Sequence, residues 1–373
     1  MGQTALHARS HEWGTAVADY RGATTAAGFG DPQAELAALQ DRCGVYDLGY
    51  RAKISISGGD RVRWLNGMVT NNIRDLAPDH GLYAFLLNPQ GHILGDLYAY
   101  NRGESLLIDT DCSQVEKILA TFDHYIIMDD VEVANRTAEM TALGIAGPNA
   151  HAVLKAADIQ FPELQPLQFH TVKCDCDCDC GCLECTIVRT DDPLLESYEI
   201  WLSPEHVKPL WDALVTAGAT PVGSEALELH RIQAGIPRYG VDIRERDLPQ
   251  ETEQAHALNF NKGCYIGQEI VERIRSRGAV HRKFCGFVAQ PAETIVPGAK
   301  ISSGEKEVGE ITSAAKVDLA GESKTIALGY IRREVGTPGR EVMIGTVKAI
   351  VTSLPITAAS LTQDESSLAQ RPA

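Results

Sequence analysis

One order of elements occurs twice in this chain, and it restricts the fold more than any single motif. Lys53-Ile-Ser-Ile-Ser57 alternates at period two, as a half-buried strand does, and Gly58-Gly59-Asp60 turns it into an amphipathic helix through Met68. Strands follow near Tyr83–Leu87, His92–Tyr100 and Glu104–Ile108, then a helix near Ser113–Phe122 with Val115, Ile118, Leu119 and Phe122 on one side. A further strand is expected at Val131–Ala134. The order then repeats. A strand at Thr141–Ala146 precedes a helix opened by Gly147-Pro148-Asn149, and three strands lead to a helix from Pro204 with Val207, Leu210, Trp211 and Leu214 on one face. The letters barely match, so the repeat is one of plan: two α+β units, each with helices against an antiparallel sheet.

From about residue 279 the pattern changes to short apolar strands separated by glycine turns, the signature of a small β barrel or sandwich. The expected organisation is a loosely held arm over 1–34, a first α+β domain over 35–140 and a second over 141–245. A connector covers 246–278, the barrel 279–361 and a flexible tail 362–373. At 373 residues the chain is long enough for several separate cores.

Charge narrows the function classes. Thirty-four Lys and Arg stand against 50 Asp and Glu, a formal charge of -16, which opposes general binding along a DNA backbone. No apolar run approaches membrane-spanning length, and residues 1–30 lack the apolar core of a signal peptide, so a soluble, cytoplasmic protein without a membrane partner is expected. Six of the 10 cysteines fall between Cys174 and Cys185. In an extended segment Cys174, Cys176, Cys178, Cys180 and Cys182 share a face, and with Cys185 they can offer soft thiolates to Zn, Cu(I) or an iron–sulfur centre. The competing expectation is a solvent-exposed hairpin tip carrying reduced thiols.

The most specific stretch is Lys262-Gly-Cys-Tyr-Ile-Gly-Gln-Glu269. A lysine two residues before Cys264, and a helix starting near Gly267, would both lower a thiol pKa there, so Cys264 is either a reactive thiol or a buried structural one. In its longer setting, from Leu248 to Arg282, this octapeptide resembles the signature of the YgfZ/GcvT-like folate-binding proteins. The resemblance runs from about residue 35 to 350 and includes Thr70-Asn71-Asn72, Gly81-Leu-Tyr83, Ala234-Gly-Ile-Pro-Arg-Tyr-Gly240 and Gly309-Glu-Ile-Thr-Ser313.

That resemblance implies a ring of three domains around bound tetrahydrofolate or a one-carbon derivative of it. It implies that Asp96, the retained member of an Asp-Asp pair whose first position is Gly95 here, contacts the pterin. Tyr83 would line the ring and Glu199 would bond the pterin nitrogens. The glutamyl tail is anionic, and Arg231, Lys262 or Arg273 would meet it. The family ties this fold to iron–sulfur cluster assembly and tRNA modification. The first expectation is therefore a tetrahydrofolate-binding factor that supports iron–sulfur enzymes or their assembly proteins through Cys264. An aminomethyltransferase of the glycine cleavage type, with Asp96 catalytic and a carrier protein as partner, is the alternative. A metal-binding module through the cysteine cluster is another. Whether the chain catalyses a reaction stays open between them.

Overall fold

The computed structural model describes residues 2–174, 183–278, 280–291, 294–319 and 321–361. Its contacts divide the chain into two compact units: Met1–Leu86, Gly95–Leu227 and Asn261–Ile266 in the first, and Leu87–Leu94, Glu228–Phe260 and Gly267–Ala373 in the second.

The first unit is built on two sheets. One has five strands in the order Gly81–Leu87, Ile93–Asn101, Leu106–Asp111, Arg51–Ser57, Glu132–Asn135. The other has six, in the order Phe169–Cys174, Leu183–Arg189, Ser197–Leu202, Thr141–Ala146, Gly44–Asp47, Thr220–Val222. Its neighbours are antiparallel except the last pair, which is parallel. The helices close these sheets as their periodicity requires. Pro204–Thr216 starts after Ser203 in an extended conformation, carries proline in its first turn, and buries Val207, Leu210, Trp211 and Leu214. Val115–Tyr125 buries Ile118 and Phe122 in the same way.

Two features depart from the sequence reading. The segment 1–34 is not a loose arm. It forms a helix, His7–Trp13, and a small sheet of Gly2–Gln3, Ala23–Ala26 and Val17–Tyr20. Leu6 and Tyr20 are buried, and Trp13 stacks on Trp211 at 5.3 Å between ring centroids. Its apolar residues follow no single period because they fill gaps on surfaces supplied from far along the chain, so periodicity carries no signal there. Second, Gly44–Asp47 pairs with Thr141–Ala146 and Thr220–Val222, so a strand from the first half of the repeat completes the sheet of the second.

The second unit holds a closed six-stranded barrel: Arg282–Ala289, Glu322–Arg332, Lys306–Leu319, Lys300–Ser303, Glu341–Ile344 and Val347–Thr352, the last pairing back to the first. Phe287, Ile311, Ile331 and Val351 fill its interior. Alternation along the same strands sends Arg282, Glu310, Tyr330 and Arg332 to the outer face. Among the described residues no helix is long and apolar enough to cross a membrane.

Candidate functional site

A cluster of buried charge lies in the first unit, where Arg51–Ser57 runs antiparallel to Leu106–Asp111. Register sets Arg51 opposite Asp111 and Lys53 opposite Asp109. Arg51 donates to Asp109 at 2.9 Å and to Asp111 at 2.7 Å, and Arg21 reaches Asp111 at 3.0 Å. Burial alone would raise the Asp111 carboxyl, but the two guanidinium groups hold it below the usual carboxylate range. Lys53 is fully buried. Its ammonium stands 2.9 Å from Asp109 as an ion contact not aligned as a hydrogen bond, and 4.8 Å from the centre of the Trp201 ring.

Asp96 sits beside this cluster on the strand Ile93–Asn101. The Tyr83 hydroxyl donates to one carboxylate oxygen at 2.7 Å, and the Gln114 amide to the other at 2.7 Å. The Asp96 N–H returns a hydrogen bond to the Gln114 carbonyl at 2.9 Å, so the two residues clasp each other. Gly95 leaves room for that clasp, because a Cβ there would stand 3.0 Å from the Gln114 side-chain oxygen. Burial, then the charge of Asp111, raises the Asp96 carboxyl, while Tyr83, Gln114 and Arg51 offset part of the rise. The Tyr83 ring meets Tyr98 at 5.0 Å, and Tyr98 donates to Asp191 at 3.1 Å.

Glu199 comes from the other sheet. It accepts from the Trp201 indole N–H at 2.8 Å. Burial and then Asp109 push its carboxyl upward, against Lys53 and Arg51. Gly144 lies between Tyr46 and Glu199 in register, and the Tyr46 ring lies so close over it that a Cβ would fall 2.0 Å from a ring carbon. Asp96 and Glu199 each retain some accessible surface, as do Tyr46 and Tyr98. Two carboxylates of raised pKa, both under the field of Arg51 and set among aromatic rings, suit a flat nitrogen heterocycle that offers N–H donors.

A consequence of the clasp can be read directly. Tyr83→Phe removes a donor that favours the charged carboxylate, so the Asp96 midpoint, followed by carboxyl carbon NMR, is expected to move to higher pH. A midpoint that stayed still or fell would mean the hydroxyl does not stabilise the carboxylate.

The other residues singled out in the sequence are placed differently. Arg231, in the second unit, is 3% exposed and donates to Asp242 at 2.6 Å, Ser313 at 2.9 Å, the Ile236 carbonyl at 2.9 Å and Glu228 at 3.0 Å. Its donors are taken by its own neighbours rather than presented to a glutamyl tail. Lys262 is likewise engaged: its ammonium reaches the carbonyls of Asn66, Val69 and Asn71 at 2.6, 2.5 and 2.7 Å. Burial pushes this ammonium down to about 7, whereas three carbonyl acceptors favour its charged form. Lys262 therefore braces the 66–71 segment rather than activating a thiol. Cys264 is exposed, which removes the buried structural alternative for it. Arg273 is exposed on the helix Gln268–Arg277 of the second unit. Cys176, Cys178, Cys180 and Cys182 lie outside the described residues, as does the side chain of Cys174. Cys185 is 1% exposed within an apolar core cluster that includes Ile187 and Leu202. Among the described residues no group of three His, Cys, Asp or Glu is placed to hold a metal ion.

Sequence reading missed Arg51, Lys53, Asp109, Asp111 and Gln114. The signal was available as cations and carboxylates at i and i+2 in two apolar strands, a pattern that places both pairs on one sheet face.

The sequence matches the GCVT N-terminal domain over residues 6–262 and the glycine cleavage T-protein C-terminal barrel domain over residues 282–357. It is 28% identical over 346 residues to a protein named aminomethyltransferase from Rubrobacter xylanophilus, covering 92% of this chain and 90% of the relative. A second aminomethyltransferase, from Halothermothrix orenii, is 27% identical over 354 residues and covers 92% and 95%. The solved glycine cleavage system aminomethyltransferase T of Bartonella henselae shares the fold, with a TM-score of 0.84 at 20% identity, covering 95% of this chain and 98% of that one.

Proposed function

This chain belongs to the glycine cleavage T-protein family, and from that premise we propose that it is a tetrahydrofolate-dependent aminomethyltransferase. The observation that carries this reading is Asp96, a partly accessible carboxylate fixed at both oxygens by Tyr83 and Gln114. The relatives named aminomethyltransferase, spanning nearly their whole length, support it over the iron–sulfur role expected first.

On this reading the donor is an aminomethyl group on the lipoyl arm of a carrier protein and the acceptor is tetrahydrofolate. Folate N5 and N10 each form a bond to the methylene carbon as its bonds to the amine nitrogen and the carrier sulfur break; their two N–H protons pass to the leaving groups, giving ammonia, the carrier thiol and methylene-tetrahydrofolate. Glu199 and the surrounding tyrosines hold the pterin by its N–H edge and its faces. Asp96 orients the acceptor nitrogen and stabilises positive charge developing at the amine, a role that needs it fixed in direction and ionised.

The test is transfer from loaded carrier protein to tetrahydrofolate by the full chain, read as ammonia release and methylene-tetrahydrofolate formation in equal amounts. Turnover is the expected result. Folate binding with no turnover would overturn the transferase reading and return attention to the exposed Cys264 thiol within Lys262–Glu269, the one specific feature that favours a maintenance role for iron–sulfur enzymes.

A further inference from the structure

A cavity of about 390 Å³ opens in the second unit, between the outer face of the barrel and the polar stretch 244–251. Most of its wall residues are charged. Each carboxylate in its wall already has a cation. Arg282 holds Asp247 at 2.7 Å and Glu251 at 2.9 Å, Arg244 holds Glu310 at 3.0 Å, and Lys300 lies 3.3 Å from Glu307. Two further wall residues, Arg246 and Arg332, have no carboxylate within ion-pair distance among the described residues, and both are exposed. The local balance is therefore positive by one charge.

The second observation is Tyr330. It is 4% exposed and lines the same cavity, and its hydroxyl is buried without a hydrogen-bond partner. A buried hydroxyl left unpaired carries the full cost of its desolvation, so such groups normally meet a partner when the protein is in its working state. The Arg282 guanidinium sits 4.7 Å from the centre of the Tyr330 ring, which fixes the ring as well as the arginine. An unpaired hydroxyl donor and two uncommitted guanidinium groups lining one cavity are the groups that recognise an oxyanion.

We propose that this cavity binds a small, multiply charged oxyanion, held by Arg246 and Arg332 and accepting a hydrogen bond from Tyr330. All three residues belong to the second unit, so the inference is independent of the transferase reading and of the carboxylate site in the first. Phosphoryl and carboxylate groups share the required chemistry, and the volume excludes neither a diphosphate nor a tricarboxylate.

Calorimetric titration of the full chain with inorganic pyrophosphate tests this. Saturable binding is expected, weakened about a hundredfold or more in an Arg246→Gln/Arg332→Gln double variant, since a charge-assisted contact is lost at each position. Tyr330→Phe is expected to weaken it about three-fold or more. Lys348→Gln, which alters an exposed barrel lysine paired with Glu341, is expected to leave affinity unchanged. Both arginines are exposed, so their variants should keep the wild-type melting temperature. Competition by citrate would assign the carboxylate source, and its failure the phosphoryl source. Absence of saturable binding into the millimolar range would overturn the proposal. So would equal weakening in Lys348→Gln, or affinity unmoved in the double variant.

Discussion

Asp96→Asn is expected to lower the turnover of aminomethyl transfer by about 10²–10⁴-fold, the range lost when a positioned acid–base group is removed, while tetrahydrofolate affinity changes only a few-fold. The substitution preserves shape. An asparagine oxygen can still accept from Gln114 or Tyr83, so the clasp and the strand around it persist. What disappears is the negative charge and the capacity to take a proton. Stopped-flow measurement of a single turnover, beside folate titration, separates chemistry from binding. Turnover within about three-fold of wild type would remove Asp96 from the reaction, whatever its contacts.

The second large effect falls on stability. Asp109→Ala is expected to destabilise the first unit by about 3–5 kcal/mol, the cost of leaving a buried charge without its partner. Lys53 is wholly buried and Asp109 is 1% exposed, so solvent cannot take the place of the missing carboxylate. Arg51 loses one of its two carboxylates but keeps Asp111, so Lys53 is the charge left without an ion-pair partner. Denaturant unfolding gives the energy. A second readout tests the electrostatics: Asp109 is, after burial, the main influence raising Glu199, so the Glu199 midpoint should move down in the variant. A loss below about 1 kcal/mol would show that Lys53 finds another anion or water.

Much of this was legible in the sequence where period and burial agree. Pro204–Thr216 has one apolar face and buries it, and the glycine-punctuated strands after residue 279 do close into a barrel. Tyr83 and Asp96, thirteen residues apart, meet because neighbouring strands bring them together. The misses share a cause. Lys53-Ile-Ser-Ile-Ser57 alternates as though its polar side faced water, yet Trp201 from the other sheet covers Lys53. Arg231 and Lys262 looked like free cations because their acceptors, Asp242 and the carbonyls of residues 66–71, are fixed by tertiary folding rather than by local pattern. A charge in a sequence carries no record of whether its counter-charge is internal.

The Lys262 brace has a bearing on biosynthesis. Its acceptors precede it by 191 to 196 residues, so when Asn66, Val69 and Asn71 leave the ribosome the group that will cap their carbonyls does not yet exist as polypeptide. The first unit also waits for Thr220–Val222 to flank Gly44–Asp47. Its early part must therefore persist as an incomplete nascent state for about half of translation, with open strand edges and uncapped carbonyls, and long-range closure of this kind is slow. Truncated chains ending before Asn261 are thus the species most in need of chaperone cover, and stalling within that window is a greater hazard to this protein than stalling after it.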